Sequence, residues 1–536
     1  MKKIITFVIF YILTCIVYIN AFGAHFLDDT ISWMYFFKHE GWSTFYTSFD
    51  FTSLFYGHDI IYNCAYIVFD THALPWFLLL TVLHALNTFI GYLVFKKIFE
   101  KNKITYSNEI AICGAFLFLF SPYQTENIVW GATMHYGFSM LCMWTGFYLY
   151  ENFLTTKKIS YLIIFYLLFI FSIVTMEISL VFPGLYFIIF TFLWDRPFSR
   201  KVFVSNLKFI AFPMFLIIAC YFLANNYVHG SYIGHYGSDT HTKTLFTLHT
   251  PGTMLQYFIK YTGYIHFFDY KYRDIFYSAA LNPYILTGAF IFIIAAILFL
   301  YKKYKNKVIV SAMFFLLMIT CLIPVSTMFF MYLNQVQNDR LGYFFSFFIY
   351  ILICLLLSFT GKKILIGVVI IISVLNIYLL QNYIVRWKNA ATVQDMATET
   401  FQWKDSDKVY VLNQPCYFEG AYIFRNDARM DRSLSILKDI EMYGRIQEIA
   451  WANMHSVQNS ITIEQKNSNT LQVTLNEWGR WFWMKDKGGY DYADDFVKVD
   501  FDDWNHSYTV EFLQSVKENE VIIYYTPEGF KEFKLI

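Results

Sequence analysis

The run Ile364-Leu365-Ile366-Gly367-Val368-Val369-Ile370-Ile371-Ile372-Ser373-Val374-Leu375-Asn376-Ile377-Tyr378-Leu379-Leu380, introduced by Lys362-Lys363, decides the fold class. It holds no charged side chain, and a helix of about 20 such residues spans the roughly 30 Å hydrocarbon core of a bilayer. Apolar runs of this kind, or close to it, lie near 4–22, 75–95, 109–121, 134–153, 160–175, 178–194, 203–224, 281–301, 308–331, 341–360 and 364–384. They predict a polytopic α-helical membrane protein of about eleven transmembrane helices, the third and fifth being short. Composition agrees: among 536 residues 57% are hydrophobic, 22% aromatic and 15% charged, which excludes an ordinary soluble protein. The first run follows Met1-Lys2-Lys3 as in a signal peptide, but with ten further runs behind it a retained first helix is expected.

Charge orients the chain. With the N-terminus inside, the inner connections collect Lys2 and Lys3, the cluster Lys96 to Lys103, Lys157 and Lys158, Arg196 to Lys201, Lys302 to Lys307, and Lys362 and Lys363. The short outer loops hold Lys38 and Arg340. That bias places the basic segments in the cytoplasm and, with an odd helix count, the C-terminal region outside. Residues 386–536 carry 24 Asp and Glu against 17 Lys and Arg, a balance of −7 that leaves about +8 on the preceding part. The outer face is then expected to hold the bulk of the polar chain: loops 23–74, 121–133, 225–280 and 332–340, and the tail. Six of the eight cysteines fall in apolar runs and read as packing residues, and a disulfide between Cys64 and Cys416 is disfavoured.

The tail, residues 386–536, has the mixed polarity of a folded domain. Lys408–Leu412, Ser460–Glu464, Leu471–Leu475 and Val521–Tyr525 read as strands, and Arg432–Trp451 has helical spacing. An extracytoplasmic α/β or β-rich domain is expected there. The tail contains no nucleotide-binding loop and no cysteine-histidine metal spacing, and no nucleic-acid partner is expected.

Five patches set polar groups in apolar surroundings: Asp28-Asp29; Thr81 to Asn87, with His84; Ser121-Pro122-Tyr123-Gln124-Thr125-Glu126-Asn127-Ile128-Val129-Trp130; Thr175-Met176-Glu177-Ile178-Ser179; and Gln337-Asn338-Asp339-Arg340-Leu341-Gly342-Tyr343. Ionisable residues at a membrane are costly, so each is a functional candidate. The bland reading of Asp28-Asp29 is a helix cap, that of His84 with Asn87 an interhelical hydrogen bond, and that of Arg340 a snorkelling anchor.

Taken in order, residues 1–385 resemble the GT-C superfamily of membrane glycosyltransferases that use polyprenyl-phosphate sugars. The nearest likeness is to the membrane part of the transmembrane-and-tetratricopeptide O-mannosyltransferases and their bacterial relatives. The positions that carry it are Asp28-Asp29, His84/Asn87, Pro122/Glu126/Trp130, Glu177 with Pro183, and Asp339-Arg340. The chain departs from that pattern where Met176 replaces a lysine and Leu341 a tyrosine, and no tetratricopeptide repeat follows.

The resemblance implies sugar transfer on the outer face of a plasma membrane, with inversion at the anomeric carbon. A polyprenyl-phosphate-linked donor, undecaprenyl in a bacterium, would reach the site among membrane lipids, and the acceptor would be an envelope glycan, lipid or protein. Such chemistry needs a base for the acceptor hydroxyl, and Asp28 with Asp29 as partner is the expected pair, the reverse assignment standing beside it. Asp29 is also the expected ligand should a divalent cation, Mg or Mn, take part. Arg340 is expected at the leaving phosphate. Glu126, His135, Glu177, His84, Asn87 and Asp339 are expected to orient acceptor or donor. The rival classes are a flippase or transporter, which predicts repeated halves and charges spread through many helices, and a polymerase or ligase of surface polysaccharide.

Overall fold

The computed structural model describes residues 2–24, 26–45, 53–194, 198–234, 247, 249–268, 270–326, 339–425, 429–458, 460–476, 481–483 and 489–536. Arg196, Gln337 and Asn338 lie outside the described residues. Among the described residues seven helical segments are long and apolar enough to cross a membrane: Lys3–Ala21, Ala73–Lys101, Glu177–Trp194, Arg200–His229, Pro283–Leu322, Asp339–Leu357 and Lys362–Glu399. Two shorter apolar helices, Ser107–Leu119 and Ile159–Thr175, fall where short runs were expected, and Met134–Thr156 adds a further long helix.

The runs 281–301 and 308 onward form one stretch of helix, Pro283–Leu322, broken at Tyr304 (φ −129°, ψ 39°). The break falls in the basic cluster Lys302 to Lys307, where Lys307 Nζ donates to the Ser358 carbonyl at 3.0 Å and Lys303 lies 5.1 Å from the Tyr304 ring.

The loops expected on one face are themselves folded. The 23–74 loop contains the helices Asp29–Glu40 and Tyr56–Phe69, the 121–133 turn contains Thr125–Val129, and the 225–280 loop contains His249–Gly263 and Tyr270–Ala279. Burial gives the reason: Ile31, Met34, Ile61 and Tyr62 of the first two helices belong to the main hydrophobic core.

The last long helix, Lys362–Glu399, continues past the expected boundary at 385, and strands begin at Lys408. Lys408–Val411 lies parallel to both Glu520–Thr526 and Ile446–Glu448, with Gly529–Phe533 on the outer edge. A five-stranded antiparallel sheet runs Ile461–Asn467, Thr470–Leu475, Ser507–Phe512, Val497–Phe501, Tyr492–Ala493. A third sheet runs Ala421–Tyr422, Gln414–Phe418, Trp451–Met454, Phe482–Trp483. The region is β-rich, and the four expected strands are present. The helix expected over Arg432–Trp451 is corrected: helix covers Arg429–Lys438, and Ile446–Glu448 and Trp451–Met454 are strands. The helix stops at Lys438 because the next residue, Asp439, has a φ of +56°, which leaves the helical path; Gly444, at φ +74°, then turns the chain into the first of these strands.

Two elements of this region face the membrane part. Helix Arg429–Lys438 packs along helix Asp29–Glu40, where Lys38 Nζ meets Asp439 Oδ1 at 2.9 Å and the Ser435 carbonyl at 3.0 Å. The short strand Ala421–Tyr422 packs on the Lys362–Glu399 helix, and Arg386 of that helix pairs with Glu419 at 2.7 Å.

Candidate functional site

Asp28 is the residue before helix Asp29–Glu40 and has φ 47° and ψ −110°, in the left-handed half of backbone space that a non-glycine residue rarely occupies. It does not cap the helix with its side chain. Its neighbours hold it instead: Trp130 Nε1 donates to the Leu27 carbonyl at 2.8 Å, and Gln394 Nε2 to the Phe26 carbonyl at 2.8 Å. The 121–133 turn and the last long helix thus both fix the loop that delivers the acidic pair.

The Asp28 side chain is fully buried, yet what faces it is cationic. The Arg425 backbone N–H donates to Oδ1 at 3.1 Å, Arg425 Nε lies 3.3 Å from Oδ2, and Arg429 Nε lies 3.4 Å from Oδ1. Asp29, with its side chain 26% exposed, accepts from Arg425 Nη2 at 2.9 Å on one oxygen and from Arg429 Nη2 at 2.7 Å on the other. Ser32, one turn on, accepts from Arg429 Nη1 and, at 3.2 Å, from Arg432 Nη1. Burial pushes the Asp28 carboxyl up to about 6, and the neighbouring Asp29 charge adds to this; Arg425 and Arg429 pull the other way and are outweighed.

A second charged group adjoins the first through aromatic rings. Arg425 lies over Tyr422 at 4.3 Å and over Trp130 at 5.9 Å, while Arg340 lies over the same Trp130 at 5.5 Å and donates from Nη1 to the Tyr422 hydroxyl at 3.2 Å. Glu126 is wholly buried and holds Arg340 twice, through Oε1 to the guanidinium and through Oε2 to the backbone N–H at 2.8 Å. Beside it Asp339, also buried, pairs with Lys260, whose ammonium lies 5.5 Å from the Tyr123 ring. Asp28, Asp29, Glu126, Asp339 and Arg340 therefore come together with four cations the sequence reading did not single out: Lys260, Arg425, Arg429 and Arg432.

No known protein-family model matches the chain, and no curated protein does.

The remaining candidates sit at the edges of this group or away from it. His135 Nδ1 is 3.4 Å from the Tyr62 hydroxyl, and its ring is 4.9 Å from His58, whose ring is tilted against that of Trp33 at 4.3 Å, one turn along from Asp29. His84 lies between helices, with Nδ1 3.2 Å from the Tyr343 hydroxyl and Nε2 3.4 Å from the Leu119 carbonyl, and Asn87 Nδ2 donates to the Gly137 carbonyl at 2.9 Å. Glu177 accepts on Oε1 from Ser53 Oγ (2.9 Å), Tyr221 Oη (2.8 Å) and the Gly234 N–H (3.1 Å), so it ties three separate segments of the chain together.

Two spaces lie among the described residues of the apolar helices. An apolar groove of about 320 Å³ runs along helix Tyr56–Phe69, lined by Ile61, Ala65, Val68, Leu79 and Phe138. A cavity of about 170 Å³ lies between Tyr261, Tyr264, Tyr350 and Ile372, one residue from Lys260.

The donor set at the acidic pair suits an anion better than a cation. Both Asp29 oxygens accept from guanidinium groups, and a divalent cation there would stand within a few ångströms of two fixed positive charges. For a cation to bind, those pairs must open.

Proposed function

We propose that this protein is an integral-membrane glycosyltransferase of GT-C type, moving a sugar from a polyprenyl-phosphate donor to an envelope glycan, lipid or protein acceptor. In this reading eleven helical segments cross a plasma membrane with the N-terminus inside, a topology supported by the lysine and arginine bias of the inner connections. The site and the β-rich domain then lie on the outer side.

The observation that carries the proposal is Asp28: a buried carboxyl in a strained backbone conformation, basic enough to work near neutrality, at the junction of the apolar helices and the polar domain. A general base is most effective when its pKa lies near the working pH. Asp28 takes the proton from the acceptor hydroxyl as that oxygen forms its bond to the anomeric carbon. The bond from that carbon to the phosphate oxygen breaks, and its electron pair leaves with polyprenyl phosphate. The leaving phosphate gains one negative charge, which Arg340 meets; Glu126 holds the guanidinium in place and Trp130 supports its face. Asp29, both of whose oxygens are engaged by arginines, is the partner and not the base. The apolar groove along helix Tyr56–Phe69 has the lining that a prenyl chain requires.

The test is turnover by the full-length protein in lipid nanodiscs with a synthetic polyprenyl-phosphate sugar and envelope extracts. Consumption of the donor with a matching mass gain on an acceptor supports the proposal. A folded protein inert towards a panel of such donors contradicts it.

A further inference from the structure

We propose that Arg425, Arg429 and Arg432 of the C-terminal region form a phosphate-binding site, distinct from Arg340, in which a phosphate group competes with Asp28 and Asp29 for the guanidiniums. The anion site stands on its own geometry; its consequence for catalysis rests on the reading of Asp28 given above.

Arg425 and Arg429 pair with both Asp28 and Asp29, while Arg432 reaches Ser32 and lies near Asp431, its neighbour on the helix. The pairing is incomplete. The Nε atoms of Arg425, Arg429 and Arg432 are all buried without a hydrogen-bond acceptor, and Asp28 Oδ2 is buried without a donor. Arg425 Nε and Asp28 Oδ2 are 3.3 Å apart, close enough for attraction but not aligned for a hydrogen bond. Buried polar groups are nearly always satisfied, and four orphans on one cluster mark a missing partner.

A phosphate is the acceptor that fits. Its tetrahedral oxygens can meet guanidinium edges arriving from three directions, which a planar carboxylate held on a fixed loop cannot. Arg425 follows the third sheet directly after Tyr422 to Phe424, and Arg429 and Arg432 share a face of helix Arg429–Lys438, so the three converge from two elements. The Tyr422 ring and the Phe36 ring, 4.3 Å and 4.4 Å from the charges of Arg425 and Arg432, hold the guanidiniums ready when the carboxylates withdraw. Phosphate binding removes the two groups that hold the Asp28 carboxyl down, and leaves it the stronger base. The phosphate can come from a lipid headgroup or from solution.

The test titrates inorganic phosphate and, separately, a short-chain polyprenyl monophosphate into the full-length protein in nanodiscs, by calorimetry, for wild type, Arg429→Gln and Asp28→Asn. Arg429→Gln is expected to weaken binding by about tenfold or more, the loss of a charge-assisted bidentate contact. Asp28→Asn is expected to tighten it several-fold, because the competing charge is gone while the shape is kept. Damage to the fold can only weaken binding, so the opposite sign of the two effects is diagnostic. Comparable binding of both probes assigns the site to free phosphate, and binding of the polyprenyl probe alone assigns it to a headgroup. No binding of either probe to wild type, unchanged binding in Arg429→Gln, or no tightening in Asp28→Asn overturns the proposal. Sugar transfer measured on the same preparations separates the two readings. Transfer abolished in Asp28→Asn with phosphate binding insensitive to both variants overturns the anion site and leaves the transferase. Binding that follows the expected signs without transfer from any donor does the reverse.

Discussion

Arg429 Nη2 lies 2.7 Å from Asp29 Oδ1 and joins residues 400 positions apart. The loop that carries the acidic pair is therefore shaped by a region the chain adds only after its last long apolar helix. The long helix Lys362–Glu399 is the strut between them, since Gln394 holds the Phe26 carbonyl and Arg386 holds Glu419.

The first prediction concerns that contact. A double-mutant cycle of Asp29→Asn and Arg429→Gln, read by thermal unfolding of the full-length protein, should give a coupling of about 1–3 kcal/mol, the range for partly buried, charge-assisted pairs. Additive effects would mean that the pair does not hold the loop.

The pH dependence follows from Asp28. Burial raises its carboxyl from the usual 3.8 to about 6, and as a base it must be ionised. The value of kcat/KM should rise with pH up to a midpoint near 6 and level off above it. Stability moves oppositely. A carboxyl whose folded value is raised contributes stability that is full below 3.8 and is lost as pH rises through about 6, so this group stabilises the fold more at pH 5 than at pH 7. Unfolding scans at the two pH values check the sign once the same scans on Asp28→Asn are subtracted.

How much of this was legible in the sequence differs from residue to residue. The apolar runs were long enough and free enough of charge to read as helices, the strands near 461 and 471 were visible because one face of each is buried, and those near 408 and 521 because they are β-branched and aromatic runs buried on consecutive residues. Asp28, Glu126 and Arg340 stood out as charges in apolar settings, and the structure brings them together. Arg425, Arg429 and Arg432 did not stand out, because nothing local distinguishes them from solvated surface arginines in a polar tail; their partners lie about 400 residues away. The one signal was three arginines within eight residues of a region whose net charge is negative. Lys260 was hidden for the same reason, its partner Asp339 being 79 residues on. The stretch from Arg432 to Trp451 was misread because helical spacing in its first part carried the expectation past Lys438, where the helix ends at the positive φ of Asp439.

Glu126 and Arg340 make a buried pair whose breakage should be costly. Glu126→Ala leaves a guanidinium buried without its carboxylate and should cost about 3–5 kcal/mol of stability, whereas Glu126→Leu combined with Arg340→Met should recover much of it. The check is the order of unfolding midpoints, with the double variant above the single one. A single variant as stable as wild type would remove the pair from the account.

Chelation gives a simple further check. Because guanidinium groups engage both Asp29 oxygens, EDTA should leave the transfer rate unchanged and added Mg or Mn should not raise it. A rate lost to EDTA and restored by either ion would assign a metal to the pair.

The most direct measurement is the rate of sugar transfer from a polyprenyl-phosphate donor by wild type, Asp28→Asn and Asp29→Asn in the same nanodiscs. Asp28→Asn is isosteric and should lower kcat by about 10²-fold or more, as loss of a general base does, while Asp29→Asn should retain measurable turnover. Wild-type turnover in Asp28→Asn would contradict the account.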